Sequence, residues 1–122
     1  MTPAMALIYA LDLQLDRILA EGLDNRFARH TAMADRTQKW AIGHGMEPLT
    51  PAPYRSKTVS TLRNSLGIDI SALNKFLLTH GFRIANGYGE LKDKTYRIAH
   101  MGEIQMTDVD TLLKLMEEFI KL

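Results

Sequence analysis

Cysteine is absent from the 122 residues. That excludes disulfides, thiolate metal ligands and thiol nucleophiles, and it fits a cytoplasmic protein. An excess of either charge is also missing: Lys and Arg total 15, Asp and Glu 14, for a net charge of +1. A balance so near zero gives no electrostatic case for nucleic acid or an acidic partner. The apolar runs are all far too short to cross a bilayer. The opening stretch, MTPAMALIYALDLQ, lacks a basic segment ahead of its apolar one and soon turns acidic, so it does not read as a signal peptide. The length suits one domain, residues 1–122, and the 46% apolar and 24% charged content is ordinary for a globular chain.

Helical spacing is clear from the start. Leu7, Ile8, Leu11, Leu15, Ile18 and Leu19 recur at the period of a helix, with Thr2 placed to cap it and Pro3 as its first residue. A helix that begins so early suggests a chain cut from something longer. Its apolar residues lie on more than one side, enough for one face to pack here and another to meet a partner. Gly22 breaks it, and Asp24 is placed to cap a second helix to about Ile42, with Phe27, Met33 and Trp40 on its apolar side. The GHG at 43–45 reads as a helix stop. Pro48, Pro51 and Pro53 mark an extended connection over 46–57.

The remaining half mixes strands and helices. TVSTLRNS, 58–65, alternates and is β-branched, as a strand requires. Ser71 or Asp69 caps a helix over 72–80, and Gly81 closes it. FRIAN, 82–86, and TYRIAHM, 95–101, are strands around the loop GYGELKDK. Thr107 and Asp110 resemble a capping box ahead of a last helix whose inward stripe is Val109, Leu112, Leu113, Met116, Phe119 and Ile120. The order α-α-β-α-β-β-α predicts an α+β two-layer sandwich, with a helical lead-in over 3–42 and a small, mostly antiparallel sheet of about three strands in the part from 57 to 122.

Few residues suggest chemistry. His30, His44, His80 and His100 have no metal-ligand spacing and read as surface or helix-end histidines. The NGYG at 86–89 follows a strand but does not open a helix, so it lacks the amides that cradle a phosphate and reads as a turn. Arg97 stands out. Alternation puts Tyr96, Ile98 and His100 on one face of the last strand, and Thr95, Arg97 and Ala99 on the other. Arg97 either pairs with an acid such as Glu90 or Glu103, or offers its planar fork to a carboxylate.

Two stretches carry a family resemblance. TPAMALIYALDLQLDRILAEGLDNRFARH resembles the passage from the large to the small domain of class V aminotransferases. ISALNKFLLTHGFRIANGYGELKDKTYRIAHMGEI is similar to their C-terminal signature, which ends in R-I-x-H-M-G. These are fold-type I pyridoxal-phosphate enzymes. The resemblance is to the alanine–glyoxylate and serine–glyoxylate (serine–pyruvate) branch, which includes proteins described as soluble hydrogenase small subunits. It implies that Arg97 binds the α-carboxylate of an amino-acid or 2-oxo-acid substrate. It also implies that Thr2 lies next to the family's cofactor-phosphate threonine.

The departures are equally informative. The family's Schiff-base lysine, the aspartate on the pyridinium nitrogen and the stacking aromatic all belong to a large domain with no counterpart here. Thr37-Gln38-Lys39 echoes the S-Q-K around that lysine, but it follows the first helix and sits inside the second, so it is a decoy. The resemblance therefore implies the C-terminal part of a transaminase that acts on alanine- or serine-type amino acids and glyoxylate- or pyruvate-type acceptors. Alone it is expected to be inactive and to bind no pyridoxal phosphate. Its partner is a second copy, as in a dimer, or a separate large-domain chain. The other reading is a free-standing, non-catalytic oligomerisation domain.

Overall fold

The computed structural model describes residues 1–122. Its elements are α1 (Met5–Glu21), α2 (Leu23–Gly43), β1 (Val59–Arg63), α3 (Ile70–Leu78), β2 (Ala85–Asn86), β3 (Thr95–Ala99) and α4 (Met106–Ile120). The sheet is antiparallel, in the order β1-β3-β2. Val59 pairs with Ala99, Thr61 with Arg97, and Ala85 with Arg97 from the other side. The expected α+β sandwich is therefore present, with β3 as its central strand.

The core lies on one face of this sheet. Leu62, Tyr96 and Ile98 point into it and meet Met33, Trp40 and Ala41 of α2, Leu73 and Leu77 of α3, and Val109, Leu112, Leu113 and Met116 of α4. Phe119 and Ile120 pack at its edge. Each fully buried aliphatic side chain stabilises the fold by roughly 1.5–3 kcal/mol relative to exposure. No helix covers the other face, and Arg97 and Ala99 are exposed there.

Helix starts differ from the expectation in four places. Ala4, not Thr2, precedes α1 and supplies no side-chain cap; Pro3 contributes its carbonyl to Met5 N and lies before the helix. Gly22, at φ 86, turns the chain directly from α1 into α2, which leaves Asp24 in the first turn rather than at the cap. At α4 the capping box is Gln105 with Asp108, whose Oδ2 accepts Gln105 N at 2.8 Å. The turn at Gly102, φ 67, precedes an extended Gln105, which a capping residue requires. Thr107 and Asp110 thus fall within the helix. Asp69 is the cap of α3, accepting Ala72 N at 3.0 Å, and the helix starts two residues earlier than expected.

The strands are shorter than their patterns. Beyond Arg63, Asn64 uses its side-chain amide to hold Ile68 N and O, at 2.8 Å each, and so bends the chain. Before Ala85, Gly81 at φ 81 closes α3, with Gly81 N on Leu78 O and Phe82 N on Leu77 O. The start of the proline-rich connection runs beside β1: Arg63 N donates to Glu47 O, Leu49 N to Thr61 O, and Pro48 bridges Leu62. Proline suits that outer position, where no N–H is needed.

α1 is the exception to core packing. None of its 17 residues is buried. Leu7, Tyr9, Leu11 and Leu19 are exposed, as is Phe27 of α2, which was expected inside. A charged corner holds α1 instead. Arg29 Nε donates to Glu21 Oε1 at 2.6 Å, and Arg26 Nη1 to Glu21 Oε2 at 2.9 Å. Arg29 also reaches the carbonyls of Gly102 and Ile104 at 2.9 and 2.5 Å. Gln14 of α1 donates to Glu103 Oε1 at 2.8 Å. The Arg29 guanidinium, with Arg26 behind it, pulls the Glu21 carboxyl down to about 2. No helix is long and apolar enough to cross a membrane.

Candidate functional site

Arg97 stands on the open face of the sheet, in the middle strand. Neither Glu90 nor Glu103 pairs with it; Glu103 is taken by Arg26 and Gln14. Its Nε and Nη2 both donate to Asn86 O, at 3.2 and 3.0 Å. That grip on a neutral carbonyl orients the guanidinium without neutralising it. The remaining N–H donors of the fork are left for an incoming acceptor.

The glycine-rich loop holds that carbonyl in place. Asn86 Oδ1 accepts Gly87 N at 2.7 Å and Asp93 N at 2.9 Å, while its Nδ2 donates to Asp93 Oδ1 at 2.7 Å. Asp93 takes a left-handed φ of 62 to make this clip. Gly87 is required for a separate reason. A Cβ there would come within 2.0 Å of Leu91 O and 2.6 Å of Thr95 Oγ1. The loop is a turn, as expected, and it closes one end of a concavity.

That concavity has a volume of about 710 Å³. Besides Arg97 it is lined by Val59, Asn74, Arg83, Asn86, Gly87 and Met101, among others, and by no aspartate or glutamate. An uncompensated arginine in such a recess suits an anion, and a planar carboxylate matches its fork.

The other singled-out residues lie elsewhere. Thr2 is exposed in the lead before α1 and does not line the concavity. Lys39 is exposed on α2, between buried Gln38 and Trp40, well inside the helix. His44 and His80 lie at helix ends, as expected. His30 and His100 do not fit the surface reading. His30 is buried, with Nδ1 against Arg26 O at 2.7 Å. His100 is fully buried behind β3: Nδ1 faces Lys57 O at 3.1 Å and Nε2 faces Ser60 Oγ at 2.9 Å. Gln38 Nε2 lies 3.5 Å from the same hydroxyl. A neutral ring satisfies this set by donating from Nδ1 and accepting at Nε2. Burial pushes its pKa below the usual histidine value.

No family model matches the chain. An uncharacterised aminotransferase of Methanocaldococcus jannaschii is 35% identical over 102 residues, 83% of this chain and 26% of that protein. A serine–glyoxylate aminotransferase of Hyphomicrobium methylovorum is 36% identical over 106 residues, 83% of this chain and 25% of that protein. The crystal structure of an alanine–glyoxylate aminotransferase from Nostoc sp. superposes with a TM-score of 0.86 at 29% identity, over 100% of this chain and 33% of that one. The chain belongs to the class V aminotransferases, as their C-terminal small domain.

It spans about a quarter of the length of the curated relatives it matches, 26% of the first. Class V aminotransferases are pyridoxal-phosphate enzymes. The residues of this small domain do not fit that cofactor by themselves. A Schiff base needs a lysine within the site, and none lines the concavity of Arg97. Lys39, the one lysine with a suggestive context, points away from the core on a helix surface. What the recess presents is the Arg97 guanidinium, with free N–H donors and no acidic partner.

Proposed function

We propose that this chain supplies the substrate-carboxylate arginine, Arg97, to a pyridoxal-phosphate-dependent transaminase. The complete enzyme moves an amino group between an alanine- or serine-type amino acid and a glyoxylate- or pyruvate-type 2-oxo acid. One observation carries this reading: Arg97 is held by the Asn86 carbonyl, faces a recess, and has no acidic partner. A carboxylate gripped there fixes how the rest of the substrate lies, and such positioning is a large part of catalysis. The lysine and the cofactor contacts would come from a large domain, with Thr2 next to the phosphate site.

On this reading residues 1–122 form one cytoplasmic domain that is inactive alone. Titration of the chain with pyruvate, followed at the amides of Asn86, Gly87 and Ala99, tests it. Saturable shifts in the wild type, lost in Arg97→Gln and weakened in Arg97→Lys, are expected; identical binding by all three overturns it. Turnover of alanine and glyoxylate by the purified chain with added cofactor would overturn the claim of inactivity.

The exposure of α1 favours a second reading, a self-associating domain without catalysis. Large apolar patches mark surfaces that meet a partner. Sedimentation over a wide concentration range separates the cases. A dimer abolished by Leu7→Lys with Leu11→Lys supports self-association through α1. A persistent monomer leaves a large-domain chain as the cover for that helix.

A further inference from the structure

Arg97 is not the sole arginine on this concavity; Arg83 borders it too. Its placement is fixed by a neighbour. Asn74 of α3 binds both backbone groups of Ile84: Nδ2 donates to Ile84 O and Oδ1 accepts Ile84 N, each at 2.9 Å. Ile84 is buried, so alternation sends Arg83 and Ala85 to the opposite side. Ala85 pairs directly with Arg97. Arg83 lies two residues before Ala85, ahead of the paired strand, and lines the same recess as Arg97.

Arg83 forms none of the chain's ion pairs. One acid, Asp108, borders an adjoining cavity that Arg83 also borders. Its carboxylate caps α4 through Gln105 N. Two arginines therefore line one recess that no carboxylate of the chain lines. Neither guanidinium is neutralised within the chain, and a doubly anionic ligand can satisfy both at once.

We infer that Arg83 is a second anion-binding residue of this site and that it extends the alanine- and pyruvate-type range proposed above to diacids, held more tightly: amino or 2-oxo acids with a second carboxylate on a short chain. This rests on the assignment of Arg97 to the first carboxylate. Arg83 takes the second, so a monoacid uses only half of the site.

The test is a titration of the isotopically labelled chain with propionate and with succinate, at physiological salt to screen unspecific attraction. Shifts are read at the Ala85, Gly87 and Ala99 amides, and the remaining spectrum reports that each variant is folded. Succinate should bind the wild type at least about tenfold more tightly than propionate, a gap of about 1.4 kcal/mol. Arg83→Gln should erase that preference and leave propionate binding within about twofold of wild type, whereas Arg97→Gln should lose both acids. Equal affinities in the wild type, or a preference that survives Arg83→Gln, overturn the role of Arg83 alone. Propionate binding that survives Arg97→Gln, or no binding of either acid by the wild type, overturns the Arg97 assignment and this inference with it.

Discussion

On one face of β3, Tyr96, Ile98 and His100 are fully buried; on the other, Arg97 and Ala99 stand exposed, one residue away in the chain. The buried side is closed to water and internally satisfied. Tyr96 Oη donates to Met46 Sδ at 2.9 Å, and its pKa is raised by burial. His100 finds two partners. The open side carries a charge with a neutral carbonyl as its only fixed contact. Strand alternation therefore separates the residues that hold the fold from the residue proposed to meet a ligand. Substitutions on the two faces should separate in the same way.

The largest effect belongs to the buried side. Leu113→Ala removes a side chain with no exposed surface from the centre of the core. It should cost about 2–5 kcal/mol, read as a drop in the midpoint of urea unfolding. A change under about 1 kcal/mol would mean that the core is looser than its packing implies.

Gly87→Ala comes next and crosses the boundary. The residue borders the open concavity, yet its added Cβ would strike backbone. Overpacking of this kind costs about 1–3 kcal/mol. The strain should appear as lost amide protection around Asn86 and Asp93, with weakened binding at Arg97. An unperturbed loop would show that the clip is not what positions the arginine.

Acid should weaken the buried side through His100. Its folded pKa lies below the unfolded value of about 6.5, because burial disfavours the imidazolium. Between those two values the unfolded chain binds more protons. The contribution is therefore fully present above pH 6.5 and is lost as pH falls toward the folded pKa. His100→Gln should flatten this step. Glu21 acts in a separate window: with its folded pKa at about 2 against a usual 4.5, its contribution is lost as pH falls from 4.5 toward 2. Urea midpoints from pH 7.5 down to 3 resolve the first step and the start of the second. A flat wild-type profile as pH falls below 6.5, ahead of the Glu21 window, would contradict the burial of a neutral His100.

How much of this the sequence reveals follows from the same physics. Element order, the core stripe of α4 and the opposed faces of β3 are local periodicities, so they are legible. The buried stripe of α2 is legible only in part: Met33 and Trp40 stand out, but it also runs through His30, Thr37 and Gln38. Those polar groups are inside only because each finds a nearby partner, as Thr37 Oγ1 does on Met33 O at 2.9 Å. Phe27 looks like a core residue and is exposed, since nothing in the chain covers that end. The capping box of α4 depends on a turn at Gly102, and the clip at Asn86 depends on a left-handed Asp93; both need backbone geometry that composition does not encode. Arg97 is legible as an anomaly, but its orientation by Asn86 is not.

Arg97→Gln should have the smallest effect on stability and one of the largest on binding. The guanidinium is exposed and its fixed contacts go to a single carbonyl that is not buried beneath it. Exposed substitutions of this kind usually fall within about 0.5 kcal/mol. Gln keeps a donor for Asn86 O but loses the charge and the paired N–H groups that a carboxylate needs. Unchanged unfolding with lost carboxylate binding would establish that the two faces of β3 are energetically independent. A loss of stability as large as that of Leu113→Ala would instead make Arg97 part of the scaffold, and the recess beside it would then lack its anion-binding group for a structural reason.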